Sequence, residues 1–236
     1  MCLIIKKPPG RTISADFLVN AHSKNNHGWG FFFLDDGRPV WQRGMHLDDL
    51  LEANRRLPEH AEVYVHLRQA TYGDVVEDMA HPFVVRQGLL LMHNGSLHSL
   101  APEDAACSDT FELARLLNDL TRGLNDDDAA RLLRSEGFAR LTAPLIHGSM
   151  IVLLDKAGVV CLGRAWHTLS AQEWDDAMCG MEVSNTHAWV ARNQQPSACP
   201  AQVPAAQEAP VSAAAPRTPR VKPARAPRIR TRLQPA

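Results

Sequence analysis

The chain opens on a short apolar run, Cys2–Ile5, followed at once by Lys6-Lys7-Pro8-Pro9-Gly10, which predicts a strand closed by a turn. Phe17–Ala21 predicts a second strand. Asn25-Asn26-His27-Gly28-Trp29-Gly30 predicts a loop, because two glycines in three residues sit poorly in a regular element. Phe31–Leu34 and Pro39–Gln42 flank Asp35-Asp36-Gly37-Arg38, the pattern of a hairpin. Within His46–Leu57, apolar residues recur at Leu47, Leu50, Leu51 and Ala53 behind acids in the first turn, which predicts a helix.

Glu62–Leu67 alternates through Val63, Val65 and Leu67 as a strand does, then gives way to the polar segment Arg68–Gly73. His81-Pro82-Phe83 opens another strand region, and the apolar run Gly88–Met92 stops at His93-Asn94-Gly95. Ser108-Asp109-Thr110 has the chemistry of a helix start, with Phe111, Leu113, Ala114, Leu116, Leu117 and Leu120 following as its buried face. Asp126–Ser135 predicts a further helix with three acids at its start. Met150–Leu154 and Val159–Leu162 form a hairpin around Asp155-Lys156-Ala157-Gly158, and short strands are expected near Met181–Ser184 and His187–Ala191.

From about Gln195 the pattern ends. Ala, Pro and Arg dominate, and such a segment buries too little apolar surface to offset its chain entropy, so 196–236 reads as a disordered Pro/Ala/Arg-rich tail behind a domain of residues 1–195. Antiparallel hairpins with helices inserted between groups of strands predict an α+β fold with packed sheets, not a doubly wound parallel sheet.

Charge sharpens the division. Seven of the 25 basic residues and one of the 26 acids lie from position 201 onward, so a body of net −7 carries a tail of net +6. The five cysteines are odd in number and show no CxxC spacing, which argues against a disulfide framework and for a reducing compartment. The N-terminus does not read as a signal peptide, and no apolar run approaches the roughly 20 residues of a membrane helix, so a soluble cytoplasmic protein is expected. The eleven histidines lack HExxH or other paired ligand spacing, so neither a metal site nor a cofactor is expected.

The candidate chemistry begins at Met1-Cys2. A small second residue favours removal of Met1, which leaves a thiol and a free α-amine on Cys2. These titrate near about 8.5 and about 7.7–8.0. One residue can then serve as nucleophile and general base together. Taken alone, Cys2 reads as the first small hydrophobe of a strand. Other polar residues recur where apolar strands stop, at Asn26, Arg68, Thr71, Asn94, Gly95 and Asp109, and strand ends along one sheet edge commonly assemble a site.

Six segments occur in a telling order: Met1-Cys2, Asn26-His27-Gly28-Trp29-Gly30, His66–Gly73, His81-Pro82-Phe83, His93-Asn94-Gly95 and Ser108-Asp109-Thr110. Over roughly residues 2–190 they make the chain resemble a class II glutamine amidotransferase domain of the N-terminal-nucleophile hydrolase superfamily. The resemblance implies an αββα sandwich of two packed, mainly antiparallel sheets flanked by helices. It implies that Cys2 attacks the side-chain amide of glutamine and forms a thioester. The Asn94 amide and Gly95 N–H would stabilise the oxyanion. Arg68 and Thr71 would hold the substrate's α-carboxylate, and Asp109 its α-ammonium. Asn26 and His81 are carried with the substrate-binding set. Glutamate and ammonia are the products, the ammonia passing to a separate acceptor protein or to water. The sequence departs from many relatives at His27, Gln69 and Tyr72.

Singly, each residue has a plainer reading. Arg68 suits an ion pair, Asp109 a first-turn acid, Asn94-Gly95 a hairpin turn, and His81 and His93 structural hydrogen bonding. Two other functions therefore stay open: an amidohydrolase acting on a different amide, and a non-catalytic glutamine-binding regulatory protein. The basic tail, from Arg217 to Arg232, suits an acidic partner or nucleic acid, but it has no aromatic residue for base stacking.

Overall fold

Alternation along the strands sorts their side chains into three buried layers. A computed structural model describes residues 2–194 of the chain, so the expected basic tail lies outside the described residues. One sheet runs β3 (Arg38–Gly44), β2 (Trp29–Asp35), β4 (Val63–Leu67), β1 (Leu3–Lys7), β10 (Glu182–Val183) and β9 (His167–Thr168). The other runs β5 (Phe83–Arg86), β6 (Leu89–Asn94), β7 (Met150–Asp155) and β8 (Gly158–Gly163). Every neighbouring pair is antiparallel.

Odd positions of the first sheet (Leu3, Ile5, Trp29, Phe31, Val63, Val65) pack with Phe17 and Leu18 of helix α1 (Ala15–His22) and Leu50 and Ala53 of α2 (Leu47–Arg55). Odd positions of the second (Leu89, Leu91, Ile151, Leu153) pack with α3 (Asp109–Leu120), α4 (Asp126–Leu133) and α5 (Glu136–Thr142). Even positions of both, namely Ile4, Phe32, Tyr64, Leu90, Met92, Met150 and Val152, meet in the middle. The result is an α+β arrangement of helices, sheet, sheet and helices, dictated by the period of two in each strand.

Several elements differ from expectation. Phe17–Ala21 is helical, because Ser14 caps it through a hydroxyl that accepts the Phe17 N–H at 3.4 Å, and Phe17, Leu18 and Ala21 then share one buried face. The single helix expected over Asp126–Ser135 stops at Leu133, and Ser135 caps α5 instead. His187–Ala191 forms no strand. Asn185 pins it, its Oδ1 accepting the N–H of His187 and of Ala188 at 3.0 Å each. The glycine loop is shorter than expected, since Trp29 and Gly30 already belong to β2. Gly30 is needed there: a Cβ on it would lie 2.0 Å from the His81 carbonyl oxygen. Asn94-Gly95 is not a hairpin turn, because Asn94 closes β6 opposite Met150 and the chain then leaves the sheet.

Candidate active site

Strand register carries the candidate nucleophile to its neighbours. Leu3 pairs with Leu67, and the next step beyond the ladder sets Cys2 beside the Arg68-Gln69 turn. The Cys2 sulfur accepts the Gln69 N–H at 3.3 Å, and its thiol reaches the Gln69 carbonyl oxygen at 3.4 Å. Burial pushes the thiol pKa up. The Gln69 backbone bond and the Arg68 charge act against that rise, and Asp109 adds to it. Both charged groups are thus felt at the sulfur.

Arg68 is buried and tied to its own loop. Its guanidinium donates to the Asp74 carbonyl at 2.8 Å and the Tyr72 carbonyl at 3.0 Å, which leaves three of five N–H groups for other acceptors. Its N–H donates to Gly28 O at 2.7 Å, and the His27 N–H donates to Arg68 O at 3.0 Å. His27 Nδ1 also accepts the Ala70 N–H at 3.1 Å, so the 26–28 loop is fastened along the 68–70 turn.

Asn94 ends β6 on the inter-sheet face and is 1% exposed. Its Nδ2 donates to Ser184 Oγ at 2.6 Å, while its Oδ1 is buried without a partner among the described residues. Gly95 has φ +145°, and a Cβ there would stand 2.1 Å from Ser149 Oγ, so conformation and space both require glycine. Asp109 begins α3, capped by Ser108, and is buried. Its carboxylate accepts the Leu97 N–H and the Thr110 N–H, each at 2.7 Å.

Behind these groups lie three buried histidines. The His66 and His81 rings sit 3.9 Å apart, His66 Nε2 reaches the His93 carbonyl oxygen at 3.1 Å, and His93 Nδ1 meets Thr110 Oγ1 at 2.8 Å. Burial lowers all three pKa values, that of His66 to about 3, that of His93 to about 4, and that of His81 well below its ordinary range. They are neutral imidazoles at neutral pH.

Cys2, Arg68, Asn94, Gly95 and Asp109 therefore gather at one end of the inter-sheet layer. His81 stands behind them, its ring tilted against that of His66, with neither ring nitrogen bonded among the described residues. Thr71 and Asn26 are exposed, and neither side chain makes a hydrogen bond among the described residues. Ser184 and Asn185 were not foreseen. Asn185 Nδ2 donates to the Cys2 carbonyl at 2.8 Å, and Ser184 bridges Ile4 and Asn94. They lie more than 180 residues from Cys2 at the end of a two-residue strand, where no local motif marks them. Among the described residues no group of three or more His, Cys, Asp or Glu side chains is arranged to hold a metal ion, and no helix is long and apolar enough to cross a membrane.

No family model and no curated protein matches the chain. Among solved structures it is similar to the glutamine phosphoribosylpyrophosphate amidotransferase from B. subtilis complexed with ADP and GMP, at 15% identity and TM-score 0.37 over 66% of this chain. The match spans 35% of that protein's length. It is also similar to a glutamine aminotransferase class-II domain protein from Silicibacter pomeroyi, at 18% identity and TM-score 0.36, over 81% of this chain and 90% of that one.

Proposed function

We propose that this domain is a glutamine-hydrolysing amidotransferase-type enzyme in which Cys2, freed of Met1, is the nucleophile. The observation that carries this reading is the convergence of a half-buried thiol with an asparagine–glycine pair and two buried groups of opposite charge. A free α-amino acid presents a carboxylate and an ammonium at fixed separation. Arg68 keeps N–H donors for the first, and the Asp109 carboxylate is an anion for the second.

The thiol is held up in pKa by burial, so it needs a base. The α-amine of a processed Cys2 takes its proton, and the sulfur bonds to the substrate's amide carbon. The oxygen becomes an oxyanion and takes hydrogen bonds from the second Asn94 N–H and the Gly95 N–H. The proton then moves from the α-amine to the leaving nitrogen. Collapse breaks the C–N bond, releases ammonia and leaves a γ-glutamyl thioester, which water converts to glutamate.

The test is an intact mass of the purified protein before and after a glutamine-mimicking diazoketone, beside Cys2→Ala. Loss of Met1 and one adduct that maps to Cys2 and is blocked by glutamine are expected. Retained Met1 defeats the mechanism, and a processed but unlabelled Cys2 defeats glutamine as the substrate.

A further inference from the structure

Ser184 stands where β10 stops, and its hydroxyl takes the hydrogen bond that would continue the ladder. In the ladder with β1, Ile5 faces Val183, so Ile4 faces Ser184. The Ser184 N–H donates to Ile4 O at 2.9 Å as an antiparallel pair requires. The return bond goes elsewhere: the Ile4 N–H donates to Ser184 Oγ at 2.8 Å, not to the Ser184 carbonyl. The hydroxyl is thereby turned onto the inter-sheet face, where it accepts a second bond from Asn94 Nδ2 at 2.6 Å. Both of its acceptor positions are filled, one from each sheet.

The next residue completes the arrangement. Asn185 fixes the Cys2 carbonyl through Nδ2, and its Oδ1 is fixed in turn by the N–H groups of His187 and Ala188. One dipeptide thus holds both the residue bearing the thiol and the side chain proposed to receive the oxyanion.

We infer that Ser184 is a positioning residue that sets the orientation of the Asn94 carboxamide relative to Cys2, with Asn185 as its counterpart on the nucleophile; for its catalytic consequence this rests on the glutamine-hydrolysing reading above. A carboxamide turns about a broad, roughly two-fold torsion. Among the described residues the Asn94 oxygen has no partner to select one orientation, so the bond to Ser184 is the anchor. Without it, the amide hydrogen aimed at the substrate oxygen loses its direction. The Ile4 N–H is also left buried and unpaired.

Two readouts on the full chain test this. In isotope-labelled protein the Asn94 side-chain NH₂ resonance is identified by its loss in Asn94→Asp, and its exchange with water is followed. Ser184→Ala is expected to shift that resonance and speed its exchange about tenfold, whereas Ser184→Thr, which keeps the hydroxyl, stays within about twofold. An unchanged resonance in Ser184→Ala overturns the inference whatever the substrate is. The second readout is steady-state glutamine hydrolysis. Ser184→Ala is expected to lower kcat by about 10–100-fold with KM within about threefold, and Ser184→Thr to recover most of that loss. Unchanged kcat in Ser184→Ala, or a loss falling wholly on KM, also overturns it. A wild-type protein that hydrolyses no glutamine defeats the proposed substrate, and the NH₂ resonance then decides the positioning role alone.

Discussion

Strand β1 carries polar side chains at both ends of the inter-sheet layer, and the two ends are built on opposite principles. At the Lys6 end the groups satisfy one another. Lys6 Nζ lies 2.7 Å from Glu182 and 3.7 Å from Glu62, and the Tyr64 hydroxyl donates to Glu62 at 2.6 Å. Burial is the largest single influence and works against the Lys6 charge, but the bond to Glu182 and the charges of Glu62 and Glu182 together outweigh it, so its pKa is raised. At the Cys2 end capacity is left over. Of the eight buried side-chain N and O atoms without partners among the described residues, five belong to His66, His81, His93 and Asn94. Between the ends, Ile4, Phe32, Met92 and Met150 are ordinary core. A closed polar cluster stabilises, while donors and acceptors left to spare are what the proposed substrate site requires.

The contrast can be broken most decisively at the thiol. Cys2→Ala is expected to lower glutamine kcat/KM by about 10⁴-fold or more, with an unchanged circular dichroism spectrum. Survival of turnover above a hundredth of wild type would end the nucleophile reading. Next in size is Asn94→Ala, expected to cost about 10²–10³-fold in kcat with little change in KM, read from full saturation curves. Arg68→Lys keeps the charge but loses the planar fork and its two carbonyl bonds. An effect of about 10–100-fold, mainly on KM, is expected in the same assay.

The histidines sharpen the comparison through stability. Their native pKa values lie below the unfolded value of about 6.5, so below that pH the unfolded chain binds protons that the native state excludes. Stability is therefore full above about pH 6.5 and declines as pH falls toward about 4, by about 1.4 kcal/mol per pH unit for each histidine in the window. Urea midpoints at a series of pH values measure the slope, and His81→Phe should lower it. Smallest of all is the opposite end: Glu182→Gln should change stability by about 1 kcal/mol or less and leave amide hydrolysis as it was. A large loss of activity there would erase the distinction between the two ends.

Much of this was legible along the chain because the strands are short apolar runs bounded by turn residues, with one clear alternation at Glu62–Leu67. The ladders of β1, β4, β6, β7 and β8 lie within a residue or two of their apolar runs. Residues 17–21 misled because Phe, Leu and Val suit either element, and the deciding signal was the serine cap upstream. Cys2, Arg68, Asn94 and Asp109 stood out because each sits at a strand end or helix start beside a recognisable neighbour. Ser184 and Asn185 did not, because their roles depend on a pairing that spans the whole domain. Asn26 illustrates the limit of a single position: Asn25, next to it, is the buried residue, donating to the Ala21 and Ala188 carbonyls.

The two carbonyl bonds that restrain Arg68 have a thermodynamic consequence. A free arginine side chain gives up about 2 kcal/mol of rotamer freedom when it is immobilised. Here the loop from Gln69 to Asp74 has immobilised it during folding, before any carboxylate arrives. The cost is charged to the stability of the domain and not to association, so an anionic ligand meets a cation already aimed. Under the proposed function, recognition at this end of the sandwich would be a lock cut in advance, with an affinity that depends on the loop's order as much as on the guanidinium's charge.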